Sequence, residues 1–86
     1  MHAESRGPRA ADRSRLQRAI VLQLLRDDRA PRWSRLELAS ELDVDAAGLE
    51  RALRELDAEG VVLLDPEEVW ASRAARRLDE LELIGI

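Results

Sequence analysis

Apolar residues recur with a helical period over most of this chain, which breaks twice at turn residues and once at a change to strand period. Leu16, Ile20 and Leu24 stand at i, i+4 and i+8, and Val21 and Leu25 widen the stripe. A core-facing helix of about 12–15 residues is expected there. Ser14-Arg15-Leu16-Gln17 has the form of a capping box that would start it. Asp27-Asp28-Arg29-Ala30-Pro31 ends it, because proline cannot continue the hydrogen-bond ladder. A second capping box, Ser34-Arg35-Leu36-Glu37, opens a short helix over 34–42, with Trp33 and Leu38 spaced as a hydrophobic staple. After the break Asp43-Val44-Asp45, Asp45 is expected to cap a third helix, with Val44 and Leu49 as its staple. That helix carries Leu49, Ala52, Leu53 and Leu56 on one face and stops at Gly60.

Beyond Gly60 the period changes. Val61-Val62-Leu63-Leu64 and Val69-Trp70-Ala71 read as two short strands around an Asp65-Pro66-Glu67 turn, a tight hairpin. Ser72 is placed to cap a last helix, with Ala74, Leu78 and Leu81 at i, i+4 and i+7 and Arg76 four residues before Glu80. The tail Leu83-Ile84-Gly85-Ile86 is unusually apolar for a chain end.

Composition narrows the classes. With 86 residues there is room for one domain, expected over 12–86 behind a disordered arm over 1–11. The absence of cysteine excludes disulfides, a thiolate zinc site and a cysteine nucleophile. The one histidine is His2, and five serines have no histidine partner, so no catalytic constellation, metal site or cofactor site is expected, and the chain is read as no enzyme. No apolar run approaches the ~20 residues that span a bilayer, and no basic-then-apolar leader opens the chain, so a cytoplasmic location away from membranes is expected. All 14 basic residues are arginine, and the net charge is −4. That charge is uneven, +3 over residues 1–18 and −7 over 19–86, so any contact with a polyanion must come from local arrangement.

The order helix, short helix, tight turn, longer helix, hairpin, helix resembles that of bacterial winged helix-turn-helix transcription regulators. The resemblance is carried by Glu37-Leu38-Ala39-Ser40-Glu41-Leu42-Asp43-Val44 and by the run from Leu49 to Val62, with its L-x-x-L-x-x-x-G-hydrophobic exit. It covers about residues 16–71 and implies a mainly α fold: a three-helix core, a short β-hairpin wing of two or three strands, and a C-terminal helix. It also implies that the third helix enters the major groove of duplex DNA near its N-terminus. The residues it then points to are Arg51 and Arg54 as contact groups, with Ala47 and Glu50 beside them. Glu50 and the hairpin-tip acids Asp65, Glu67 and Glu68 oppose phosphate, and Glu55 or Asp57 are alternative partners for the two arginines. Arg15 and Arg18, with Arg6, Arg9 and Arg13, form a basic N-terminal segment suited to an adjacent minor groove.

A fainter similarity links Val61–Ala71 to the end of the winged-helix domain that precedes the catalytic domain of alkylmercury lyases. It implies no lyase activity in a chain without cysteine, but it does imply that such a fold serves as an interaction module. Two functions are therefore weighed: a dimeric DNA-binding regulator, or a protein–protein interaction or dimerisation module that leaves DNA alone. Dimerisation is expected through Leu78, Leu81 and Ile84, because these add more apolar surface than a three-helix core requires. Trp33 and Trp70 are expected to be core residues rather than a stacking platform.

Overall fold

Local capping chemistry sets most element boundaries in the computed structural model, which describes residues 10–26 and 31–83. Helix α1 runs Ala10–Leu24, strand β1 Trp33–Ser34, helix α2 Arg35–Leu42 and helix α3 Ala46–Ala58. Strands β2, Val62–Leu64, and β3, Glu68–Ala71, precede helix α4, Arg73–Glu80. The protein is mainly helical, with a small antiparallel sheet in the order β1-β3-β2.

Ser34 caps α2 with a complete capping box: its hydroxyl accepts from the Glu37 amide, and the Glu37 carboxylate accepts from the Ser34 amide, both at 3.0 Å. Asp43 closes α2 in the left-handed region, at φ 56°, and Val44 donates to the Ala39 carbonyl at 3.1 Å. Asp45 then caps α3, accepting from the Gly48 amide at 2.7 Å. Gly48 fits this cap because a Cβ there would stand 2.9 Å from the Asp45 carboxylate oxygen. At the other end, Gly60 at φ 79° forms a Schellman turn, with Val61 donating to Leu56 and Gly60 to Asp57. Ser72 caps α4 through the Ala75 amide.

The core forms where α1, α2 and α3 meet the inner face of the sheet. Ile20, Val21, Leu24 and Leu25 of the first helical segment close against Leu38, Leu49, Ala52, Leu53 and Leu56. Val62, Val69 and Ala71 seal the sheet side. Trp33 is 3% exposed, so it is both the expected staple and a strand residue, paired with Val69.

Two expectations need correction. Ser14 does not cap the first helix, which begins at Ala10, four residues upstream. Residues 10–13 contain no helix breaker, and Asp12 stands in the first turn, where the helix dipole favours a carboxylate. The buried residue of α4 is Ala75, and Leu78 and Leu81, expected as surface in excess of the core, are about half exposed. Glu80 pairs with Arg77 at 3.2 Å rather than with Arg76, which instead donates to the Leu24 carbonyl at 3.4 Å. Ile84, expected in an interface, lies outside the described residues, as do Arg6, Arg9 and most of the Asp27–Pro31 break.

Leu53 is fully buried at the centre of the α3 stripe. Leu53→Ala is expected to remove ~2–5 kcal/mol of stability. A thermal or urea melt reads the loss, and an unchanged melting temperature contradicts the packing described.

Candidate nucleic-acid interface

The buried stripe of α3 fixes what its other face presents. Leu49, Ala52, Leu53 and Leu56 point into the core, so Ala47, Glu50, Arg51 and Arg54 lie together on the opposite side of the helix. With Ala46 they line one shallow concavity. Ala47, Arg51 and Arg54 are exposed, and Glu50 is half-buried. Neither arginine has an ion-pair or hydrogen-bond partner among the described residues. Glu55, an expected partner, is taken by Gln17 of α1, whose amide nitrogen donates to it at 2.6 Å.

Glu50 is not a free negative charge. Its carboxylate oxygen lies 2.6 Å from Nε of Arg35, an ion pair between the start of α2 and the start of α3. The approach is a charge contact rather than an aligned hydrogen bond, and it leaves the buried Nε–H without an aligned acceptor. The far end of the same guanidinium donates to the Asp65 carbonyl at 2.5 Å, and the Arg35 amide donates to the Glu67 carbonyl. Arg35 thus ties α3, α2 and the hairpin turn together.

The hairpin acids are largely occupied as well. The Asp65 side chain accepts from the amides of Glu67 and Glu68, at 2.8 and 2.6 Å, and so closes the turn. Arg32 reaches Glu68 at 3.4 Å and Asp65 at 3.9 Å, while its guanidinium carbon stands 3.9 Å from the centre of the Trp70 ring. Trp70 is therefore a half-buried residue of the outer sheet face with a cation over it, not a core residue like Trp33.

The first helix takes in Ala10 and Ala11, which were expected in the arm, and Arg13 with them. Arg13, Arg15 and Arg18 all belong to α1. Arg15 forms an exposed pair with Asp12 at 3.5 Å. Arg18 lines a groove beside α4, away from the N-terminal half of α3. Arg13, expected only as part of the basic N-terminal segment, lines the same small hollow as Arg51, together with Asp12, Leu16, Ala52 and Glu55. The i, i+3 spacing of Arg51 and Arg54 was visible in the sequence, but the additions of Arg13 and Arg35 depend on contacts between distant segments. Among the described residues no group of three His, Asp or Glu side chains is gathered as a metal cage, and no helix is long and apolar enough to cross a membrane.

The two backbone hydrogen bonds, from Glu68 and then Glu67, hold the Asp65 carboxyl below the ordinary aspartate range, with Arg32 and Arg35 adding to them. Because the folded value is depressed, this carboxylate's contribution to the turn is present at neutral pH and is lost as pH falls through the lowered value. An NMR titration should show the Glu67 and Glu68 amides moving with a midpoint below that of an exposed aspartate, and Asp65→Ala should abolish the transition. A midpoint at the ordinary aspartate value contradicts the closed turn.

Compared with protein-family models, curated proteins and solved structures, the chain matches none.

Proposed function

We propose that the chain is a winged helix-turn-helix domain that binds duplex DNA with the N-terminal half of α3 and acts as a transcription regulator. The element order α1-β1-α2-α3-β2-β3 and the sheet order β1-β3-β2 support this reading, with the hairpin as the wing. The observation that carries it is the state of the charges on α3. Arg51 and Arg54 are exposed and unpaired among the described residues, while Glu50, the acid that shares their concavity, is neutralised by Arg35.

In this mode α3 enters the major groove and the two arginines, one helical turn apart, address guanine edges or phosphates. Ala46 and Ala47 keep the leading turn small enough for close approach. The Asp45 cap takes one amide at the helix start, and the remaining N-terminal amides are available to a phosphate. Arg13 shares a hollow with Arg51, but Asp12 and Glu55 line it too, so the positive charge of this side rests on Arg51 and Arg54. The net charge of −4 keeps nonspecific attraction weak, so binding depends on this local cluster.

The apolar groove beside α4 favours a second reading, an interaction module that leaves DNA alone. A titration on bulk duplex DNA at two salt concentrations separates the two. Wild type binds at low salt, and Arg51→Ala and Arg54→Ala each lose ~1–3 kcal/mol if they read bases, or flatten the salt slope by about one if they meet phosphate. Glu50→Gln does not weaken binding. No binding by wild type at low salt removes the regulator reading and leaves the interaction module. Binding that is unchanged in both arginine variants moves the contact off α3.

A further inference from the structure

The groove beside α4 is an apolar depression among the described residues that has no assigned role. Its walls are Val21 of α1, Leu56 of α3, Val61, and Ala74, Ala75 and Leu78 of α4. Helix α4 itself is poorly supported by its own domain. It has eight residues, one of them buried, and one side-chain hydrogen bond back to α1 through Arg76. Helices shorter than about 12–15 residues are marginal in water unless a packed face holds them. Yet its apolar stripe faces outward: Leu78 is 43% exposed and Leu81 49%, and Leu83 just beyond is 57% exposed.

We infer that this groove and this stripe are the two halves of one self-complementary interface, and that the occupant is α4 of a second copy of the chain. Leu78 belongs both to the stripe and to the groove wall, so a twofold axis near it sets each stripe into the other's groove, as an isologous dimer requires. The charges fit the same pairing. The groove rim carries one charge of each sign, Arg18 of α1 and Glu59 of α3. The stripe is flanked by Arg73 and Arg77, of which Arg77 is already paired with Glu80, so Arg73 is the charge left to meet Glu59 of the other copy. Arg18, Glu59 and Arg73 are exposed and have no partner among the described residues, so each is available across the axis. The arrangement uses the C-terminal end of α3 and leaves the face bearing Ala47, Arg51 and Arg54 open. It therefore stands or falls independently of DNA binding.

The test is sedimentation of the full chain over a concentration series, with circular dichroism to confirm folding. Wild type is expected at twice the 9.7 kDa chain mass at tens of micromolar. Leu78→Glu and Leu81→Glu are expected to weaken self-association by about ten-fold or more while keeping the helical signal. Leu36→Glu, at an exposed site on α2, should leave the dimer intact. Because the chain has no cysteine, Leu78→Cys with a short bismaleimide should give a crosslinked dimer, whereas Leu36→Cys should not. The crosslink decides the matter if Leu78→Glu fails to fold. A monomer at every concentration overturns the inference, as does a dimer that tolerates Leu78→Glu or crosslinks equally from position 36.

Discussion

Burial of the α3 stripe against α1 and α2 is the constraint on which the rest of the molecule depends. Leu49, Ala52, Leu53 and Leu56 take up the inner face of the helix completely, so its rotation about its own axis is fixed. Its ends are fixed too, by the Asp45 cap and by the Schellman turn at Gly60. That turn delivers the chain directly into β2 and so places the hairpin against the same helix. What α3 shows to solvent is therefore a consequence of what it hides.

Electrostatics then decides what that face can do. A chain with more acids than bases would ordinarily repel a polyanion, and four of its acids, Glu50, Asp65, Glu67 and Glu68, stand near the proposed contact side, of which the exposed Glu67 carboxylate has no partner among the described residues. Arg35 neutralises Glu50, the turn amides and Arg32 occupy Asp65, and Arg32 also takes Glu68. The same contacts are structural ties, since Arg35 joins two helices to the hairpin and Arg32 covers Trp70. The Arg32 pairs are exposed and contribute little stability one by one. The effect of all these contacts is to leave Arg51 and Arg54 as the uncompensated charges of the α3 face.

Much of this architecture was legible in the sequence because it is written in local signals. Ser34 with Glu37, Asp45, Gly60 and Ser72 each act within four residues of themselves, and each stands where its pattern places it. Ser14 fits the same pattern but lost to the helix formers upstream of it, because a capping box sets a boundary only where no better start competes. Strand β1 could not be read as a strand, since two residues show no alternation and its partner Val69 lies far along the chain. The Arg35–Glu50 pair, the Arg32–Trp70 stack and the meeting of Arg13 with Arg51 are products of folding, invisible to any local window. On α4 the periodicity named Leu78 and Leu81 as one stripe, but it did not say that Ala75 alone would turn inward.

The central claim is that the outward face of α3 is the surface that meets DNA. It is tested most directly by recording amide chemical shifts of the labelled protein as duplex DNA is added at low salt. The account predicts that the largest changes fall on Ala46, Ala47, Arg51 and Arg54, with smaller ones at the hairpin turn and little change along the buried stripe or α4. Shifts centred on another surface, or none at all, would contradict it.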